Sequence, residues 1–182
     1  NVPGIYNPFS LLNTFKYMRP EDYWFETGTP SYLVELLKHT HYDLYELANT
    51  ETDADVLNSI DSTSSNPVPV IYQSGYLTIK DYDSRFGIYK LGFPNLEVEE
   101  GFVKYLLPFY TSVSAPKTPF EIGRFVREVE NGDYDAFFRR LQSFFADTPY
   151  EVIAGQKPER DTELHYQNVL FIVFRLIGLY AK

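Results

Sequence analysis

Cysteine is absent from this 182-residue chain, which removes disulfides, thiolate zinc sites and cysteine nucleophiles in one step. Histidine is scarce too: only His39, His41 and His165 are present, which argues against a histidine-rich metal centre. No glycine is followed by lysine, so there is no GxxxxGK loop to cradle phosphates. Neither a GxSxG elbow nor an HExxH pair occurs. None of the eight lysines has Asp or Glu two positions before it, so the Asp/Glu-x-Lys spacing of metal-dependent nucleases is missing. The start, Asn1-Val2-Pro3, carries no basic segment and no apolar run of the signal-peptide kind. The expectation is a soluble, cytoplasmic piece cut from something longer, with no membrane association, no cofactor and no bound metal.

Aromatic residues are abundant: 16 Tyr, 15 Phe and 1 Trp. That excess excludes a disordered chain, which is aromatic-poor, and the length suffices to bury a core. The net charge of −9 is unevenly placed. Residues 1–100 hold 6 Lys/Arg against 15 Asp/Glu, whereas residues 101–182 hold 10 of each. Phosphate binding needs concentrated positive charge, so the chain as a whole is a poor nucleic-acid binder.

Local signals predict a mainly α fold with a small β-hairpin, of α+β class. Asn7 with Pro8 predicts a helix over 8–17. Thr29-Pro30 opens another over 31–40, and a short helix follows near 42–47. Residues 48–69 read as an exposed polar and acidic excursion with one helical turn near 56–60. From Val68 the pattern reads as extended. Gly75–Lys80 and Ile88–Leu91 form a hairpin around a loop of five or six residues. Asn95 then caps a helix with Val98, Phe102, Tyr105, Leu106 and Phe109 in a stripe, which Pro108 kinks or ends. Thr118-Pro-Phe-Glu121 has capping-box spacing. The helix after it, with Ile122, Phe125, Val126 and Val129 on one face, ends at Asn131-Gly132. Asp133 caps its partner, which carries Tyr134, Phe137, Phe138, Leu141, Phe144 and Phe145, giving a helical hairpin. The last helix starts at Asp161-Thr-Glu163, and its stretch from Val169 to Ala181 is apolar on nearly every face, broken only by Arg175 and Gly178. It is too short in apolar length to span a membrane and must be covered, by packing back on the hairpin or by pairing with a second chain as a homodimer.

Few residues suggest chemistry. His39 and His41 flank Thr40 and read as cations near a helix C-terminus. Glu163 and Gln167, four apart on one helix face, read as a first-turn carboxylate with an exposed neighbour. Lys104, Arg124, Arg127, Arg139 and Arg140 are the candidates for a nucleic-acid-binding patch. Glu121, Glu128, Glu130 and Asp135 interleave with them, as on a salt-bridged solvated face. The remaining catalytic idea is a carboxylate cluster from Glu97, Glu99 and Glu100, or from Asp81 and Asp83.

Four ordered stretches carry a likeness: Tyr6-Asn-Pro-Phe-Ser-Leu-Leu-Asn13, Tyr23-Trp-Phe-Glu-Thr-Gly-Thr-Pro-Ser31, Ile71-Tyr-Gln-Ser-Gly-Tyr-Leu-Thr-Ile79, and Leu91-Gly-Phe-Pro-Asn95 with Glu97-Val98. They resemble the middle region of a bacterial family, abundant in Bacteroides-type anaerobes. Its members join an AAA-ATPase-like domain to a C-terminal PD-(D/E)XK nuclease-like domain. The resemblance implies that residues 1–95 are a winged-helix-like lid with its wing hairpin at about 76–91, and that 96–150 are a helical hairpin region. It further implies that 160–182 open a truncated nuclease-like domain. The P-loop would then precede Asn1 and the nuclease strands would follow Lys182, so that this piece neither hydrolyses ATP nor cuts DNA. Glu163 is the one position that would carry a catalytic role, and only in the intact parent. The expected role is a connector and protein-interaction region touching the parent's other domains; a DNA-binding accessory region is the alternative.

Overall fold

Capping side chains and a few glycines set most element boundaries. The structure, a computed structural model, describes residues 8–19, 23, 31–59, 66–146 and 160–181. Helices α1 (Pro8–Tyr17) and α2 (Ser31–His39) occupy the expected stretches; their expected caps at Asn7 and Thr29, and residues 60–65 of the polar excursion, lie outside the described residues. Helix α2 closes on His41, which sits at a left-handed φ of 49°. There the His41 N–H donates to Lys38 O and the Tyr42 N–H to Leu37 O, the paired bonds of a Schellman ending. A 3-10 helix over Leu44–Asn49 follows, its start held by Asp43, whose side chain accepts from the Tyr45 N–H at 2.9 Å.

Three expectations need correction in the next stretch. The excursion after residue 48 contains a strand, β1 (Glu51–Thr52), which pairs antiparallel with residues 89–90. It is followed by α3 (Ala54–Asn58), capped by Asp53. Residues 68–73, read as extended, form helix α4 (Val68–Gln73). Pro69 fits a first turn, where its missing N–H costs nothing, and Asn66 accepts from the Val68 N–H at 3.0 Å. The hairpin strands, β2 (Thr78–Asp83) and β3 (Ile88–Gly92), are joined by only four residues, because β2 runs on through Asp83. The sheet order is β1-β3-β2, with a bulge in β2 between Ile79 and Asp81.

Helix α5 (Leu96–Tyr110) is the centre of the fold. Asn95 caps it by accepting from the Val98 N–H at 2.9 Å. Its buried residues include Val98, Phe102, Val103, Leu106, Leu107 and Tyr110, so it is covered on more than the single stripe expected. Pro108 falls in the last turn: it withdraws the donor that Lys104 O would use, and the helix ends two residues later. Phe102, fully buried, meets Tyr76 and Phe93 at ring-centroid separations of 4.9 and 5.7 Å.

The expected capping box at Thr118 does not form. A 3-10 turn over Ala115–Lys117 leads straight into α6 (Thr118–Glu130), and no side chain caps that start. Thr118 is buried, its Oγ1 without a hydrogen-bond partner among the described residues. Glu121 turns to arginines instead. Helix α6 ends at Gly132, which takes a φ of 72°, and Asp133 caps α7 (Tyr134–Ala146) through the Ala136 N–H. The two form the expected hairpin, sealed by Phe125 against Phe137 and Phe144 at 5.5 and 5.1 Å. The apolar stripe of α7 is narrower than expected: Phe137, Leu141 and Phe144 are buried, while Tyr134 and Phe138 face solvent.

Helix α8 (Arg160–Tyr180) buries Val169, Ile172, Val173, Leu176 and Ile177. It packs chiefly along α5 and only secondarily on α6, so its main cover is not the hairpin as expected. Buried residues from Leu33 to Ile177 form one continuous cluster. No helix among the described residues is long and apolar enough to cross a membrane.

Candidate functional site

Two of the four candidate arginines of the helical hairpin, Arg124 and Arg140, pair with neighbouring carboxylates. Arg140 reaches from α7 to α6, donating from Nε to Glu128 at 2.9 Å and from Nη1 to Glu121 at 2.9 Å. Hydrogen bonding to Glu128 is the main reason its pKa lies above the ordinary arginine value. Arg124 pairs with the same Glu121 at 2.9 Å. Arg139 donates to the Asp135 carbonyl, and Arg127 folds back over Gly123. Arg124, Arg127 and Arg139 remain exposed; Arg140 is the strut between the two helices. Lys104 lies apart from them, on Glu100 and the Tyr180 ring.

Glu163 and Gln167 share an exposed face of α8, as expected. They line a cleft of about 600 Å³ whose other wall is the turn after α2, with Thr40, His41, Asp43 and Glu46. His39, in the last turn of α2, is not in that wall. Among the described residues no three His, Asp or Glu side chains converge as metal ligands.

Between Glu163 and Gln167, on the opposite side of the same turn, α8 faces inward. His165 is buried, stacked on Tyr110 at 6.0 Å, and its Nε2 has no hydrogen-bond partner among the described residues. Burial first, and the charge of Lys38 second, lower its pKa. The folded chain thus keeps the imidazole neutral to lower pH than the unfolded chain, which takes up a proton near pH 6.5. Stability is therefore full above that pH and declines as pH falls below it. Urea titrations should show wild type losing more stability between pH 7.5 and 5.5 than His165→Leu. Equal losses would remove His165 from the acid response.

The carboxylates considered for catalysis are dispersed over separate partners. Glu97 accepts from the Ser10 hydroxyl at 2.8 Å. Glu99 is buried and takes Arg175, and Glu100 takes Lys104 and the Tyr180 hydroxyl. Asp81 and Asp83 accept backbone N–H groups of the hairpin.

The cleft that sequence reasoning missed lies where the sheet meets α5 and α8. About 400 Å³ in volume, it is lined by Lys80, Lys90 and Arg175 together with Glu51, Glu99, Asn49 and residues 91–93. Arg175, the polar break in the apolar stretch of α8, pairs there with Glu99 on α5, a partner to which nothing local in the sequence pointed.

The chain is 30% identical, over 179 residues, to an uncharacterized protein in the vnfD 5′ region of Azotobacter chroococcum mcd 1. The match covers 97% of this chain but 34% of that protein, so the chain spans about a third of the relative's length. No protein-family model and no solved structure matches the chain.

Proposed function

We propose that this region is a non-catalytic lid and connector that works through protein contacts, as in the AAA-ATPase-like, nuclease-associated proteins its motifs resemble. The observation that carries the reading is the outer face of α1. Leu12 and Phe15, three apart on α1, are 69% and 68% exposed, and Met18, in the turn just past the helix, is 82% exposed, which gives a ridge of large apolar side chains. Ridges of this kind are what an amphipathic helix lays into a groove of another protein surface. The length of the Azotobacter relative fits a module that contacts other domains of the same chain. On this reading residues 1–95 are the winged-helix-like lid, 96–150 the hairpin region, and 160–182 the first helix of the nuclease-like domain, where Glu163 becomes relevant only in the intact protein.

The test uses that relative. Its aligned third and its remaining two-thirds, purified separately, should reassociate on size-exclusion chromatography; two peaks that never merge would overturn the connector reading. The outer face of α8, where Phe174 is 53% exposed, is the surface through which a homodimer would form. A DNA-binding accessory role is the second reading, favoured by the exposure of Arg124, Arg127 and Arg139. It requires anisotropy binding that weakens steeply between about 50 and 200 mM salt and is lost in Arg124→Ala with Arg139→Ala.

A further inference from the structure

We propose that the cleft between the sheet and α8 binds the phosphate group of a small phosphorylated ligand. Three cations from three separate elements converge on it: Lys80 of β2, Lys90 of β3 and Arg175 of α8. They do so in a chain of net charge −9 whose first hundred residues hold only six Lys and Arg; two of those six are here. The placement is built rather than incidental. A Cβ at Gly92 would lie 3.2 Å from Lys80 Cγ, so the lack of a side chain there lets the lysine stem lie across β3 along the cleft wall, and its exposed ammonium, which donates to Pro94 O at 3.3 Å, is within a side-chain rotation of a ligand.

Arg175 is oriented for recognition. Its Nε is held by Glu99, while its two Nη groups make no hydrogen bond to the described residues. A guanidinium fixed along one edge presents the other as a fork, the geometry that suits a phosphate oxygen pair. Lys90 pairs with Glu51 at 3.5 Å, both side chains more than half exposed; such a pair is weak and releases its ammonium readily. Glu99 is occupied in aligning Arg175, which leaves Glu51 as the competing anion among the described residues that line the cleft. Buried Leu91 and Phe93 line the cleft beside the charges. The volume fits a phosphate with one attached sugar or ring.

The proposal is independent of the lid reading, because it concerns a small ligand on this chain alone. Calorimetric titration of the chain with inorganic phosphate and with AMP, in phosphate-free buffer, should give saturable binding of one equivalent. Lys90→Gln and Lys80→Gln should each weaken it about tenfold, as loss of a charge-assisted contact does, with unchanged circular dichroism. Arg175→Lys, which keeps the charge on Glu99 but removes the fork, should weaken it as well. No binding up to about 10 mM, or variants that bind as wild type does, would overturn the proposal.

Discussion

Phe102→Ala is expected to lower folding stability by about 3–5 kcal/mol, read as a drop in the urea midpoint at unchanged slope. Phe102 is fully buried on α5, and its ring joins Tyr76, at the end of the α4 turn, to Phe93, just beyond β3. Truncation opens a cavity where the sheet, the short helices and α5 meet. Phe102→Leu preserves most of the volume and should cost under about 1.5 kcal/mol. An alanine variant that loses less than the leucine variant would place the centre of the core elsewhere.

The second large effect is expected at Asn168. Its side chain accepts from the Leu44 N–H at 2.8 Å and donates to Tyr42 O at 2.9 Å, clamping α8 to the start of the 3-10 helix in a buried setting. Asn168→Ala strips partners from two backbone groups, each costing about 1–3 kcal/mol when left unsatisfied in the interior, so a loss of about 2–4 kcal/mol is expected. Asn168→Asp separates the two bonds. An ionised carboxylate still accepts from Leu44 but repels the Tyr42 carbonyl, while a protonated one serves both. Burial raises such a carboxyl's pKa, so the variant should approach wild type in acid and fall below it as pH rises. A constant difference between pH 4 and pH 7 would show that the clamp contributes little.

Local chemistry made the helical part of this fold legible. Asn95, Asp133 and Gly132 act at the boundaries where their types predict, and the i, i+3, i+4 spacing of Ile122, Phe125 and Val126 identified the hairpin face. The failures have physical causes. The apolar run Val68-Pro-Val-Ile-Tyr72 is too short for periodicity to separate helix from strand, and Asn66 decides it. Thr118 matched a capping box, yet the 3-10 turn before it delivers the chain already helical, so the hydroxyl has nothing to cap. Strand β1 is two residues long and exists only because β3 offers it a ladder. The phosphate cleft and the Asn168 clamp were illegible for one shared reason: Glu99 and Arg175 are 76 residues apart, Leu44 and Asn168 are 124 apart, and no local pattern reports such pairs.

Those separations also set the order in which the molecule assembles. The α6–α7 hairpin closes a loop of 12 residues between Glu128 and Arg140, whereas docking α8 onto Leu44 closes one of 124. Loop closure over the longer span costs about 2 kcal/mol more in chain entropy, so the hairpin forms early and α8 docks late. During synthesis the chain must emerge past Leu176 before α8 can pack along α5. Until then the seam along α5 is open and adhesive, which makes the interval before α8 arrives a period of high exposure to chaperones and to misassociation.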